Sequence, residues 1–329
     1  MRPLPDAPPA VARPVDQRRR SLAFLLVVGA GYLALLLYVD HGNGILARLG
    51  GLGGPLAICA SAVLISFALR YQRWRSALSV QGHARLPWLA GLRAYLAGFA
   101  FTVSPGKAGE LLRIRYFGRL QVPSRTVLST FIYERGLDLL VITALGLGAA
   151  SLIPAFGTLV GVVTGLLVVL CLAMCWSWLQ GILFALSVRL PGRRIRQLAT
   201  FLLDGARLAG PLLRSRTVAP GLLMGALAWT FNAAAFAYLC QTMGIHLSWP
   251  HALGIYPIAM LAGALSFVPG GVGTTEAAIV VMLGATGAAL DVALAAAVGI
   301  RLVTLWLAIG VGMLAMLSLE VGPATREPS

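Results

Sequence analysis

The chain has 329 residues, of which 58% are hydrophobic and only 11% charged, where a soluble domain carries about 25% charged residues. So little charge cannot cover a water-facing surface, which excludes a soluble enzyme. The net charge of +15 would suit nucleic acid if it were spread over one surface, but the arginines fall in clusters between apolar runs, so no nucleic-acid partner is expected.

Residues 1–20 are Pro-rich and basic, ending in Arg18, Arg19 and Arg20, and read as a disordered cytoplasmic tail. The apolar run 21–39 is too long for the core of a signal peptide, and no small-residue cleavage site follows Val39. It reads as a retained first span. The runs 55–69, 126–150, 155–179, 218–241 and 292–318 likewise suit a hydrocarbon core of about 30 Å. Their continuity excludes the alternating strands of a transmembrane barrel. The predicted fold is all-α, a polytopic transmembrane helix bundle of about six to eight segments over residues 21–318, with a second cytoplasmic tail at 319–329.

Of the 25 arginines, 22 lie within residues 2–20, 70–93, 113–125 and 189–216 or at Arg326. Placing these clusters on the cytoplasmic side sets both termini inside and predicts a protein of the inner, or plasma, membrane. The loop 189–216 holds seven arginines and the loop 242–250 none, so the first is predicted cytoplasmic and the second external. Leu198, Phe201, Leu202, Leu208 and Leu212 are interspersed in the basic loop. That stretch is either an amphipathic helix lying on anionic lipid at the cytoplasmic face or a solvated basic loop.

Two segments do not read as simple spans. Residues 88–117 have arginines on both flanks and a Ser104-Pro105-Gly106 break in the middle; residues 251–289 are broken by Pro269, Gly270, Gly271 and Gly273. Both are predicted to be re-entrant broken-helix hairpins, the first opening to the cytoplasm and the second outward, which makes them an inverted repeat. The breaks share a pattern. Pro105-Gly106-Lys107-Ala108-Gly109-Glu110 and Pro269-Gly270-Gly271-Val272-Gly273-Thr274-Thr275-Glu276 each run from Pro-Gly through Gly to Glu, and the chain has only five glutamates. Glu110 stands 25 residues before Arg135, and Glu276 stands 25 before Arg301.

Paired Gly/Pro-interrupted segments point to a midplane binding site, because a helix starting at a break aims unsatisfied N–H groups at the interior and favours an anion. Pro105 suits the first helical position and Ser104 the N-cap. Lys107, the only lysine, would stand on the first turn and meet a phosphate. Glu110 and Arg113 follow at i+3 and i+6, forming either part of that site or a structural ion pair. Within the span 126–150, Glu134, Arg135 and Asp138 lie too deep to snorkel, and the like charges of Glu134 and Asp138 share a helical face. Either one is protonated or both have cationic partners, for which Lys107, Arg113 and Arg301 are the candidates. Cys59, Cys171, Cys175 and Cys240 lie in apolar runs and His246 and His251 in a short loop, so no disulfide, metal site or cofactor is expected.

The motifs PGKAGELLR at 105–113, ERGLDLL at 134–140, PGGVGTTEAA at 269–278 and RLVTLW at 301–306 resemble those of the lysylphosphatidylglycerol-synthase transmembrane-region, or flippase-like, family of integral membrane proteins. The resemblance implies a domain that moves anionic, aminoacylated, polyprenyl-phosphate-linked or hopanoid-type envelope lipids between leaflets. The chain ends at Ser329 without a soluble aminoacyl-transfer domain, so synthase activity is not expected. The function read here is therefore a lipid translocase rather than an enzyme. Lys107, Arg135 and Arg301 would receive the headgroup, while Glu110, Glu134, Asp138 and Glu276 would gate or exchange protons. GKAGE is not a P-loop. The alternatives are a membrane-embedded lipid-linked transferase and a non-transporting scaffold of an envelope-lipid complex; the oligomeric state is left open.

Overall fold

Long apolar runs punctuated by Gly and Pro yield helices joined at tight breaks. The computed structural model describes residues 14–321 except 176, 190, 191, 215 and 267, and among the described residues every regular element is a helix. Helix α1 (Pro14–Asn43) belongs to a unit that ends at Asn43. It starts inside the stretch expected to be a disordered tail, so residues 14–20 are helical. The remaining elements form a second unit from Gly44 onward.

That unit opens with α2 (Ile45–Gly50) and α3 (Gly53–Leu78), which runs into a π-helical turn at Ser79–His83. Helix α4 (Trp88–Ala97) gives way to two 3-10 stretches, Gly98–Phe101 and Pro105–Leu112, then α5 (Arg113–Gly118) and α6 (Ser124–Gly146). Helices α7 (Pro154–Cys175), α8 (Ser177–Val188), α9 (Arg193–Arg214) and α10 (Val218–Thr242) follow. The chain ends with α11 (Trp249–Leu265), a 3-10 turn at Pro269–Gly271, α12 (Thr274–Ala285), α13 (Leu290–Arg301), a π-helical turn at Leu302–Trp306 and α14 (Leu307–Val321). Three continuous helical stretches among the described residues are long and apolar enough to cross a membrane: Gly53–His83, Val218–Thr242 and Leu290–Val321.

Glycine lets these helices approach closely, which substitutes for the hydrophobic drive that lipid removes. Helix α3 runs antiparallel to α10, with the Cys59 thiol donating to the Ala235 carbonyl at 3.2 Å and Gly225 seated against the Arg73 guanidinium. Helix α6 packs beside α10 through Gly221, which faces Tyr133 and Leu137. Helix α11 returns antiparallel to α6, with Gly146 against Ile258 and Gly254 against Ala149. Trp229, Phe236, Tyr256, Ile279, Met282 and Ile300 fill one core; Tyr71, Trp74, Tyr95, Phe99 and Phe117 fill another.

One expectation needs correction, and one alternative is decided. The stretch 70–93 is not an Arg-rich surface loop, because α3 continues to Leu78 and buries Arg70 and Arg73. They remain inside because carboxylates on α6 neutralise them. The basic stretch 189–216 contains the helix α9, one of the two forms expected of it, which packs on α6 while Ile195 and Leu208 stay exposed. Gly205 sits against Leu128 and Ile132, Leu212 is buried, and Arg125 pairs with Asp204 at 3.3 Å. The side chains of Leu198 and Leu202 lie outside the described residues.

Candidate functional site

The first break follows from its sequence. Ser104 is extended at φ −61°, ψ 149°, and Pro105 opens the next 3-10 stretch. The chain then doubles back: Gly109 lies against the Phe101 carbonyl and Gly98 against the Arg113 side chain. Ser104 does cap the segment, but by accepting a hydrogen bond from the Gly109 N–H. Pro105–Leu112 is a 3-10 stretch rather than the expected α half-helix. The side chains of Pro105, Lys107 and the intervening and following residues through Ala108 lie outside the described set, which leaves the Lys107 expectation there.

The second break is built differently. Gly270, Gly271 and Gly273 have φ of 65°, 63° and 81°, backbone that L side chains rarely adopt. Pro269 starts only a single 3-10 turn, and the half-helix proper, α12, begins at Thr274 with Gly273 as its N-cap. Thr274 Oγ1 donates to the Gly271 carbonyl at 3.1 Å and lies 3.0 Å from Ser266 Oγ. Thr275 is buried against Gly263 and Gly271. The two breaks meet, with Gly270 packed on Val103.

Around this meeting point lies a buried cluster of charge. Arg73 donates to Asp138 Oδ1 at 2.7 Å and to Glu134 Oε1 at 3.3 Å, and Arg70 donates to Asp138 Oδ2 at 3.3 Å. Tyr95 donates to Glu134 Oε1 at 2.6 Å. Arg113 reaches Glu134 at 3.2 Å and Glu110 at 3.3 Å while its guanidinium stacks over Tyr95 at 3.9 Å. Glu110 also accepts from Thr102 at 3.1 Å. Both acids of α6 therefore keep cationic partners, as one of the two sequence alternatives required. Of the candidates whose side chains are described, Arg113 is among them, whereas Arg301 donates to Glu276 at 2.9 Å and to the Gly270 carbonyl. Glu110 and Arg135 stand 3.6 Å apart, so the two intervals of 25 residues correspond to two ion pairs.

Arg135 is held unlike its neighbours. Its guanidinium lies 3.6, 3.4 and 3.3 Å from Glu110, Glu134 and Asp138, its Nε has no hydrogen-bond partner, and its side chain is 21% exposed. It faces a cavity of about 270 Å³ bounded by Thr102 and Ser104 of the first break, Val268, Gly270 and Gly271 of the second, and Asp138 between them. Trp229, Met260, Leu139 and Ile142 give it apolar walls. The cluster around it contains four cations, Arg70, Arg73, Arg113 and Arg135, and three acids, Glu110, Glu134 and Asp138. Among the described residues the cluster carries one positive charge in excess.

Sequence reasoning missed Arg70, Arg73, Tyr95 and Thr102. The available signal was the i, i+3 spacing of Arg70 and Arg73 directly after an apolar run, which sets both on one helical face. Among the described residues, no three His, Cys, Asp or Glu side chains are grouped to hold a metal ion.

Long apolar helices, two broken segments meeting at a cavity and ionised groups far from the helix ends define an integral membrane protein with a polar site in its interior. The chain belongs to the lysylphosphatidylglycerol synthase TM region family, whose model matches residues 20–312. Membership places it among membrane proteins of envelope-lipid metabolism or transport. No curated protein matches the chain.

Proposed function

We propose that the protein is a flippase-like translocase, without enzymatic activity, that passes the anionic headgroup of an envelope lipid between leaflets through the cavity at Arg135. The observation that carries this reading is the single positive charge that the cluster holds in excess beside that cavity, where the Nε and Nη2 of Arg135 have no hydrogen-bond partner. An unbalanced charge inside a membrane is costly, and a headgroup phosphate would balance it. The apolar walls suit the lipid portion next to the headgroup. Substrates of this chemistry include phosphodiester, polyprenyl-phosphate-linked and aminoacylated lipids.

The two broken segments are read as re-entrant hairpins of an inverted repeat. Support comes from their lengths: α4 and α12 have 10 and 12 residues, about 15 and 18 Å at ~1.5 Å per residue, short of a core of about 30 Å. The matched Glu-to-Arg intervals and ion pairs support the repeat. The clustered arginines support an inner-membrane location with both termini cytoplasmic.

The test is movement of labelled anionic lipids across proteoliposomes. Arg135→Gln should lower the rate at least tenfold while helicity and membrane insertion stay near wild type. Wild-type transport by Arg135→Gln would remove the headgroup reading and favour a scaffold.

A further inference from the structure

A second, smaller cavity lies behind the first. It measures about 70 Å³ and is lined by Arg70, Glu110, Asn232, Tyr256, Arg301 and Thr304 among others. Thr102, Trp229 and Met260 border both cavities and form the partition between them. Three of the polar groups around the small cavity carry an atom without a hydrogen-bond partner: Arg70 Nε, Glu110 Oε2 and Asn232 Oδ1. Each belongs to a residue at most 6% exposed. A buried polar atom without a partner costs free energy, and a polar chamber of this size holds about two waters. The one carboxylate oxygen of the cluster that has no hydrogen bond, Glu110 Oε2, belongs to a residue lining this chamber.

Glu110 is also the acid most affected by a ligand. If an anion in the larger cavity draws Arg135 toward itself, Glu134 keeps Tyr95, Arg73 and Arg113, and Asp138 keeps Arg73 and Arg70. Glu110 keeps only Thr102 at 3.1 Å and Arg113 at 3.3 Å, the latter through an Nη2 that makes no hydrogen bond. A buried carboxylate stripped of a cationic partner favours its protonated form.

Building on the headgroup reading, we propose that the small chamber is a proton inlet and that Glu110 takes up one proton when Arg135 engages an anionic headgroup. The incoming anion then pairs with Arg135, and the proton neutralises the carboxylate that Arg135 leaves behind. The proton adds to Glu110 Oε2, delivered by chamber water from bulk solvent, and no other bond changes. The charged and titratable groups facing Glu110 are Arg113 on its own segment, Arg135 on α6, Arg70 on α3, Tyr256 on α11 and Arg301 on α13. Of these arginines only Arg113 and Arg135 lie within 4 Å of its carboxylate, and withdrawing Arg135 leaves one.

Linkage gives the sign. Because one proton enters with each anion, affinity for the anion rises as the pH falls, and binding is accompanied by uptake of one proton per lipid. Glu110→Gln imitates the protonated form, so it should bind lipid at least as tightly as wild type, with no such pH dependence and no proton uptake.

The experiment titrates dioctanoyl phosphatidylglycerol into purified protein in weakly buffered detergent, reading binding by calorimetry and protons with a pH-sensitive dye. One proton taken up per lipid by wild type and none by Glu110→Gln is the expected result. Binding without proton uptake by wild type overturns the proposal and leaves the headgroup reading standing. Undiminished uptake by Glu110→Gln assigns the proton elsewhere and also overturns it. Failure of wild type to bind this lipid or dioctanoyl phosphatidic acid removes the headgroup reading and the proton inlet together.

Discussion

Arg73→Met tests the buried cluster most directly. The Arg73 side chain is 1% exposed, donates to Asp138 at 2.7 Å and lies 3.3 Å from Glu134. Unit charges at the shorter distance attract by about 6 kcal/mol at an effective dielectric constant of ~20. Removing one member of a buried pair costs about 3–5 kcal/mol. Asp138 retains Arg70 and Arg135, each at 3.3 Å, and Glu134 retains Arg113 and Tyr95. The loss should therefore fall at the low end, about 3 kcal/mol. Adding Asp138→Asn leaves Arg70, Arg113 and Arg135 against Glu110 and Glu134, which restores the original excess of one, and should recover about half of the loss. Equilibrium unfolding in mixed detergent and SDS micelles measures both steps. A single variant within about 0.5 kcal/mol of wild type is the behaviour of a surface residue and would refute the burial of Arg73 in this cluster.

Other expectations can be checked with modest effort. Gly312→Ala would set a Cβ 2.2 Å from the Ala100 nitrogen, whereas Gly310 has nothing within 4 Å. The first should therefore lose about 2 kcal/mol or more, while Gly310→Ala should be neutral or gain up to ~1 kcal/mol, both read by thermal unfolding in detergent. Arg301→Lys keeps the charge but cannot reach Glu276 and the Gly270 carbonyl with one planar fork; transport should fall at least tenfold with yield unchanged, and full transport would remove the bracing role. Glu276→Gln should insert normally and transport poorly, with wild-type rates counting against a role for that acid. In a cysteine-free background, Arg196→Cys should resist membrane-impermeant reagents outside intact cells and His246→Cys should react. The opposite pattern overturns the orientation.

The positions of the two breaks were legible because Pro-Gly and a rare glutamate recur at the same interval before an arginine. Their internal form was not. The first break continues as a 3-10 stretch and the second as an α-helix after a single 3-10 turn, and spacing alone does not distinguish the two. The depth of Glu134 and Asp138 was readable from the length of apolar chain around them, and their need for cations followed from electrostatics. Which cations answered that need was not readable, because an arginine after an apolar run looks the same whether it snorkels to the surface or turns inward. Arg70 and Arg73 find their acids 60 to 70 residues later in the chain. The helical nature of α9 was one of two alternatives left open by the sequence. The helix packs on α6 through Gly205, which meets Leu128 and Ile132, and through Leu212, which joins Tyr133 and Leu137.

The π-helical turn at Leu302–Trp306 sets the timing of the last helix. A π turn carries one residue more than an α turn and so rotates everything beyond it. On one side of that turn Arg301 grips the carbonyl of Gly270; on the other, Gly312 rests on the backbone at Ala100. The helix thus works as a camshaft with two lobes, one for each break. A rigid rotation would lift both lobes at once, while moving one break without the other requires the extra residue to be absorbed or displaced. Deleting a single residue within Leu302–Trp306 would shift the phase between the lobes by about 100° without touching either break.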